Sequence, residues 1–440
     1  MKRVLLTAVL SGVITTGFAE PVWHPSGSNL TLGNISHGRS ILSDVTNPAS
    51  AAALLRNGKN QYGFGIISSI GAGMEYGDID NLYDKIDTEI NKIQGTTIAP
   101  GDDPDTVIRQ TVDSANSLLS EVQDRGYGKL LVGGHIPLMP IVIANKGIGG
   151  ALIFDINYAA TSKVVNLHET ITYNSLLDPN DDINYTLGDN TFSVTNDTSL
   201  LVSGAAIVEG ALGYSHSVLT RESGELYAGI KAKYLRVGLI RVAQRLADPA
   251  LQDSQTAFDN VDKNSYTDTS NFGVDLGLLW VNNHYRLGAT FTNVNQPQFH
   301  YNKISPDGYD VNSSVYQRLQ NLPDYTMEMQ TKLEAAFFTQ SLNWVIGASL
   351  DANAVKDPFG DPYQWANISA GFTPNSFWMP GLRAGYRTNL AGSKLSMVEG
   401  GITLFKILNI DGAYGLQSVE YEGKKYPRTG YINIGLELTF

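Results

Sequence analysis

The sequence predicts an all-β protein: a transmembrane antiparallel β-barrel of about 14 strands, with an N-terminal plug and a helical first loop. Three observations predict it. Segments of roughly ten residues alternate apolar and polar side chains along most of the chain. Short and long connections alternate between them. No run of about 18 apolar residues follows position 19, so a membrane-spanning helix is absent.

The first residues have the layout of a secretory signal. Lys2 and Arg3 are followed by the uncharged stretch Val4–Ile14, too short to span a bilayer, and then by Gly17-Phe18-Ala19. Cleavage is expected after Ala19, which sets aside residues 1–19. Residues 20–60 form the expected periplasmic or lumen plug. They are rich in Gly, Ser and Asn and then give a short helix, with Asn47 as its cap, Pro48, Ala49 to Leu55, and Gly58 as its stop. A barrel this wide is not filled by its own side chains, so something should occupy it.

The barrel is expected over 61–440. Its candidate strands are 61–73, 129–143, 148–160, 200–218, 224–244, 271–281, 284–294, 325–339, 341–351, 363–373, 381–389, 396–406, 410–419 and 429–440. In 271–281, Phe272, Val274, Leu276, Leu278 and Trp280 share one face, opposite Gly273, Asp275 and Gly277. Met327, Met329, Leu333, Ala335 and Phe337 alternate with Glu328, Gln330, Lys332 and Glu334. Apolar residues that a bilayer can wet, with charges on the other face, give the membrane-barrel phase; a soluble barrel reverses it. Asp275, Arg286, Glu328, Lys332 and Glu334 are therefore expected in the lumen, pairing with each other or holding the plug. On this phase a lysine is far cheaper at position 275 than at 276. Within connection 161–199, Ile183 to Val194 alternates loosely and could add a hairpin.

The insertion at about 78–126 reads as two helices. Leu82, Ile86, Ile90 and Ile93 mark the first. Asp103 as N-cap, Pro104, and a stripe of Val107, Ile108, Val112, Leu118, Leu119 and Val122 mark the second, which Gly126 ends. Parity puts this pair outside the cell, shielding the rim or capturing an apolar ligand or partner. An even strand count puts both termini in the periplasm.

Composition excludes several functions. There is no Cys, which removes thiol catalysis, Cys-based zinc sites and an acylated N-terminal Cys. Without Lys2 and Arg3, the 31 basic residues fall to 29 against 43 acidic ones, a net charge of −14; direct nucleic-acid binding is not expected. His24, His37, His135, His168, His216, His284 and His300 show no metal spacing. Gly213-Tyr214-Ser215-His216-Ser217 puts Ser215 and His216 on opposite faces of a strand, where they cannot work as nucleophile and base. Asp78-Ile79-Asp80 and Asp102, Asp103 and Asp105 read as solvated caps rather than cation sites, and Asp178-Pro179-Asn180-Asp181-Asp182 as a loop tip. No catalytic residue, cofactor or metal is expected, and the protein is not expected to be an enzyme.

The last strand presents Ile432, Ile434, Leu436, Leu438 and Phe440 on one face. The spacing of Asn433, Gly435, Leu438 and Phe440 resembles the terminal assembly signal of outer-membrane barrels, which implies the barrel-assembly machinery and outer-membrane lipid as partners in a Gram-negative cell. With Asn47-Pro48-Ala49 near the plug's turn, the chain also resembles the long-chain fatty-acid transporter (FadL-type) barrels. It resembles the TraF-like conjugal transfer branch more closely, through Gly71-Ala72-Gly73-Met74-Glu75-Tyr76-Gly77-Asp78-Ile79-Asp80-Asn81-Leu82. The resemblance spans most of 38–440. It implies an envelope component of plasmid conjugation with conjugation-apparatus partners, or alternatively a passive channel for a small hydrophobic molecule.

Overall fold

A computed structural model describes residues 27–38, 40–95, 98, 101–175, 178, 180–186, 191–246, 266–305 and 308–439. The signal peptide, its cleavage site, His24, Pro179 and Phe440 lie outside the described residues.

Strand Gln61–Tyr76 pairs on one side with Thr429–Thr439 and on the other with Tyr127–His135 and Ile141–Asn145. The last two follow one another along one stave, and both pair with Gly150–Leu167. From there the ring runs through Ser199–Arg221, Gly224–Arg245, Thr267–Val281, Tyr285–Thr292, Gln330–Phe338, Trp344–Asp351, Trp365–Phe372, Gly381–Asn389, Ser396–Leu404 and Leu408–Gly415, back to Thr429–Thr439. Among the described residues every pairing is antiparallel and the barrel sheet has no free edge. It is a closed barrel of fourteen staves. Closure matters in lipid, where an unpaired strand edge finds no water.

Pleat decides which residues meet lipid. In Thr267–Val281, Phe272, Leu276 and Leu278 are exposed on the outside while Asp275 and Leu279 are buried inside. The same alternation exposes Leu333 and Phe337 around Glu334, and Ile432 and Ile434 around Asn433. Exposed apolar side chains all round the outer wall are what a bilayer covers.

Four expectations are corrected. The strand expected over 325–339 begins at Gln330. Met327 instead joins a buried cluster with Phe299, Tyr301 and Tyr325, and Glu328 precedes the strand, accepting a hydrogen bond from the Lys356 backbone N–H (2.8 Å). The strand expected over 129–143 is interrupted at 136–140, where Pro137 and Pro140 donate no ladder hydrogen bond. Opposite the break, register shifts in Gln61–Tyr76 turn consecutive residues, Ser68 and Ser69, both inward. Ile183–Thr186 and Thr191–Val194 pair only with each other, so this hairpin stands outside the barrel wall.

The fourth correction concerns Asp275. It lies 2.7 Å from Lys233 Nζ and 3.4 Å from Lys231 Nζ, all three buried. A lysine at 275 would face two others. Both phases of the strand are therefore intolerant, for opposite reasons. Leu276→Lys is expected to cost about 2–4 kcal/mol through lipid if it lies near the bilayer midplane, and Asp275→Ala about 3 kcal/mol by leaving buried lysines short of a carboxylate. Adding Lys233→Met should recover part of the second loss and none of the first, measured by urea unfolding from lipid vesicles.

Candidate functional site

The lumen holds the N-terminal segment, and the wall supplies its partners. A helix, Ile41–Thr46, starts at Ser40, whose hydroxyl accepts from the Leu42 N–H. Glu437 of the last strand reaches the same helix start. It accepts from Ser40 Oγ (2.8 Å) and the Ile41 N–H (2.7 Å), while Asn409 Nδ2 donates to its other oxygen (2.9 Å). A carboxylate at a helix N-terminus meets free N–H groups and the positive end of the peptide dipoles. Past the other end of the helix, Glu334 accepts from Asn47 Nδ2 (2.9 Å), Ser36 Oγ (2.8 Å) and the Ser36 N–H. Two carboxylates on different parts of the wall thus hold one short helix across the bore.

Asn47 is not the N-cap expected of it. It ends the helix, and its side-chain oxygen accepts from the Ala49 N–H (3.0 Å), bending the chain into a 3-10 turn at Ala51–Asn57 that closes on Gly58. Asn47-Pro48-Ala49 lies against a dimple made by Gly229 and Gly277, partners across two adjacent strands. A Cβ at Gly277 would come within 2.2 Å of Asn47 Oδ1, and one at Gly229 within 2.2 Å of the Pro48 carbonyl oxygen. Only glycine lets the backbones approach this closely. Ser215 faces the same segment, accepting from the Ala52 N–H (3.1 Å), while His216 points outward beside Tyr214.

Upstream residues are held on the other half of the ring. Thr31 Oγ1 donates to Asp411 (2.6 Å), which Arg383 also pairs (2.8 Å). Arg387, fully buried, donates to the Leu30 carbonyl (2.5 Å) and pairs Glu399 (3.0 Å). Ser349 and Ser369 donate to the carbonyls of Gly33 (2.6 Å) and Leu32 (3.1 Å). Arg286 reaches the Ser36 carbonyl (3.4 Å). Alternation had put Arg286 and Glu334 in the lumen. Alternation also sets Glu437 on the polar face of the last strand; Asp411, Arg383 and Arg387 carry the same signal, each beside an apolar neighbour at the right phase, but were not singled out.

Asp44 sits in the helix, 3% exposed. Burial pushes its carboxyl up to about 7. Arg286 and a hydrogen bond from Ser50 (3.2 Å) oppose the rise, and Glu437 adds to it.

Above the segment is a cavity of about 160 Å³. Gly33, Asn34 and Thr46 bound it on the N-terminal side. Ile207, Leu235, Tyr325 and Met327 give it one apolar patch, beside the paired charges Glu209, Lys231, Lys233 and Asp275. Glu328 and Lys332 also line it. Among the described residues no group of His, Asp and Glu gathers as a metal site. Asp78 pairs Arg125 and Arg428 (both 3.5 Å), and Asp105 accepts from Tyr173 (2.6 Å). Asp103 accepts from Thr106 Oγ1 (2.7 Å) and makes no side-chain cap to the backbone. The apolar stripe of helix Pro104–Arg125 is covered by its own chain: Ile108, Val112 and Ala115 pack on Ile171 and Tyr173.

The sequence profile of the family described as "F plasmid transfer operon, TraF, protein" matches residues 44–351. Among solved structures, the Pseudomonas putida toluene transporter TodX is 13% identical, with 97% of this chain and 99% of that one covered and a TM-score of 0.38. A Pseudomonas aeruginosa FadL homologue is 11% identical over 97% and 99%, with a TM-score of 0.37. No curated protein matches the sequence.

Two predictions concern docking of the N-terminal segment. Gly277→Val should push the turn off the wall and speed tryptic cleavage after Arg56 in the folded barrel, while Gly400→Val, where a Cβ meets nothing within 4 Å, should not. The second concerns pH. A carboxyl raised from about 3.8 to about 7 on docking keeps its proton in the docked state across that interval. The docked state is therefore favoured by acid, fully below about pH 4, and the advantage is lost as pH rises through 7. Compared with Asp44→Asn at each pH, wild-type cleavage should accelerate between pH 5 and 8; a constant ratio would remove Asp44 from the account.

Proposed function

The chain belongs to the family described as F plasmid transfer operon, TraF, protein, and from that premise we propose that it is an outer-membrane envelope component of plasmid conjugation, a closed barrel rather than an open pore. The observation that carries this reading is how the lumen's charges are used. Glu334, Glu437, Asp411, Arg286 and Arg387 all bind the N-terminal segment, so the wall groups that would select a solute in a porin instead hold residues 27–58 in place. Residues 20–60 act as the plug of a barrel over 61–440. The short connections and both termini face the periplasm, because outer-membrane barrels keep short turns there. The long connections then face outward, where conjugation-apparatus proteins can meet them. Asn433, Gly435, Leu438 and Phe440 serve assembly of the barrel.

A second reading, passage of a small hydrophobic molecule, has one observation in its favour. Ile207, Leu235, Tyr325 and Met327 give the cavity an apolar side continuous with the buried cluster that includes Phe299 and Tyr301. The charges opposite that side count against an acyl chain lying there.

Mating frequency in a deletion strain, with and without the restored gene, tests the first reading. Uptake of a fluorescent long-chain fatty acid by cells lacking their own transporter tests the second. A drop in mating with no saturable uptake supports the conjugation role. Saturable uptake with unchanged mating replaces it. The plug has its own test. The chain has no Cys, so Lys332→Cys places a single thiol on the cavity. Deleting residues 20–58 should raise its labelling by a small charged thiol reagent, and an unchanged rate would remove the plug.

A further inference from the structure

The connection between Trp344–Asp351 and Trp365–Phe372 is a hairpin, with Val355–Lys356 paired to Pro362–Tyr363. These two barrel strands stand on the far side of the ring from Tyr127–His135 and Gly150–Leu167. The hairpin nevertheless ends on that opposite wall. Lys129 Nζ donates to Asp357 (2.7 Å) and to the Tyr363 hydroxyl (2.8 Å), and also pairs with Asp361. Lys163 pairs with Asp361 (2.6 Å), and Tyr363 donates to Glu75 (3.3 Å). On the way across, the Pro358 carbonyl accepts from Tyr301 (2.7 Å), whose ring lies 3.5 Å beneath the Arg241 guanidinium. The hairpin therefore spans the whole bore at the long-connection end. The cavity lies between Val355 at its base and Gly33, Asn34 and Thr46 of the N-terminal segment.

The contacts are of a kind that fixes a position more than it adds stability. The Lys129 and Asp357 side chains are 5% and 0% exposed. Taking such a pair out of water costs nearly what the attraction returns, whereas removing one partner strands the other. In the docked arrangement on Lys129 the hairpin also buries Val355 and Tyr363; in an undocked arrangement above the mouth it would give these up together with the ion pairs. Nothing in the barrel's closure needs the docked one, since the wall is already complete without it.

We propose that hairpin 352–364 is a second gate, which closes the lumen at the long-connection end independently of the N-terminal segment, with Lys129 as its latch and Lys163 as a supporting contact. The two closures act in series, and the cavity is the chamber between them. This goes beyond the conjugation reading and holds whichever macromolecule or solute the barrel serves.

The test uses the full chain, reconstituted in lipid, with Lys332→Cys as the thiol in the chamber. Asp357→Asn combined with Asp361→Asn, which alters all three ion pairs to Lys129 and Lys163, should raise thiol labelling about tenfold, equivalent to about 1.4 kcal/mol moved from the docked to the undocked arrangement. Replacing 357–361 by two glycines should do the same without leaving an altered carboxylate in a buried site. Series closure makes a further demand on planar-bilayer conductance. Gly277→Val alone and the latch variant alone should each stay near the wild-type level, and the two combined should conduct. Unchanged labelling in both latch variants, with heat-modifiable migration showing folded barrels, would overturn the proposal. So would Gly277→Val alone conducting as much as the combination.

Discussion

The structure depends on the hydrogen bonds that two wall carboxylates, Glu334 and Glu437, make to the N-terminal segment. Each is buried in the lumen, and each takes donors from the segment, Ser36 and Asn47 for Glu334 and Ser40 and Ile41 for Glu437, which Asn409 of the wall also serves. A fourteen-stave barrel leaves a bore that strand side chains alone do not fill. Charges lining that bore must be solvated, paired with one another, or satisfied by inserted chain. Here Glu209, Lys231, Lys233 and Asp275 pair with one another, while the inserted chain satisfies Glu334, Glu437, Asp411 and Arg387, and barrel and segment become one packed unit. Hydrogen bonds to charged groups contribute roughly 1.5–3 kcal/mol each, and losing the segment would leave several such groups unpaired at once.

Packing and polarity work together in this arrangement. The glycines at 229 and 277 let the Asn47 turn approach the wall backbone, and that approach lets Asn47 Nδ2 reach both Glu334 and the Leu278 carbonyl (3.2 Å). Ala49, Ala51, Ala52 and Ala53 then pack on Val142, Ala144, Ala151 and Ile153 of the wall beside the interrupted stave. Small residues on the segment and small residues on the wall give close contact without voids.

The two ends of the lumen are closed by different physics. At the short-connection end the seal combines an apolar cluster, helix-end hydrogen bonds and tight backbone contact. At the other end a hairpin is held by lysines, carboxylates and tyrosine hydroxyls, and by the buried side chains of Val355 and Tyr363. The first resists exchange because many contacts must break together. The second rests on fewer contacts, a few buried ion pairs whose desolvation nearly cancels their attraction and the packing of Tyr363 on Leu131 and Ala159. That asymmetry suits a molecule fixed on one side and responsive on the other.

The sequence by itself determined the wall. Lipid accepts only strands whose hydrogen bonds are all internal and whose outward residues are apolar, so period-2 alternation and turn chemistry revealed fourteen staves, and Gly381–Asn389 came out with both ends as expected. Pro104 and the apolar stripe after it likewise marked helix Pro104–Arg125. Phase also put Asp275, Arg286 and Glu334 inside. What each touches was decided only by tertiary structure. Asp275 met Lys231 and Lys233 from the neighbouring strand, while Glu334 met Asn47, 287 positions away. Asn before Pro is a local signal that marks Asn47 as the cap of a helix at Ala49 to Leu55; in the fold Asn47 ends Ile41–Thr46, a helix that Ser40 and Glu437 from the chain's far end start, and the 3-10 turn Ala51–Asn57 begins after Ser50. The hairpin over the mouth was invisible for the same reason. Nothing near Asp357 or Asp361 in sequence names Lys129, and only closing the barrel brings those charges across the bore to one another.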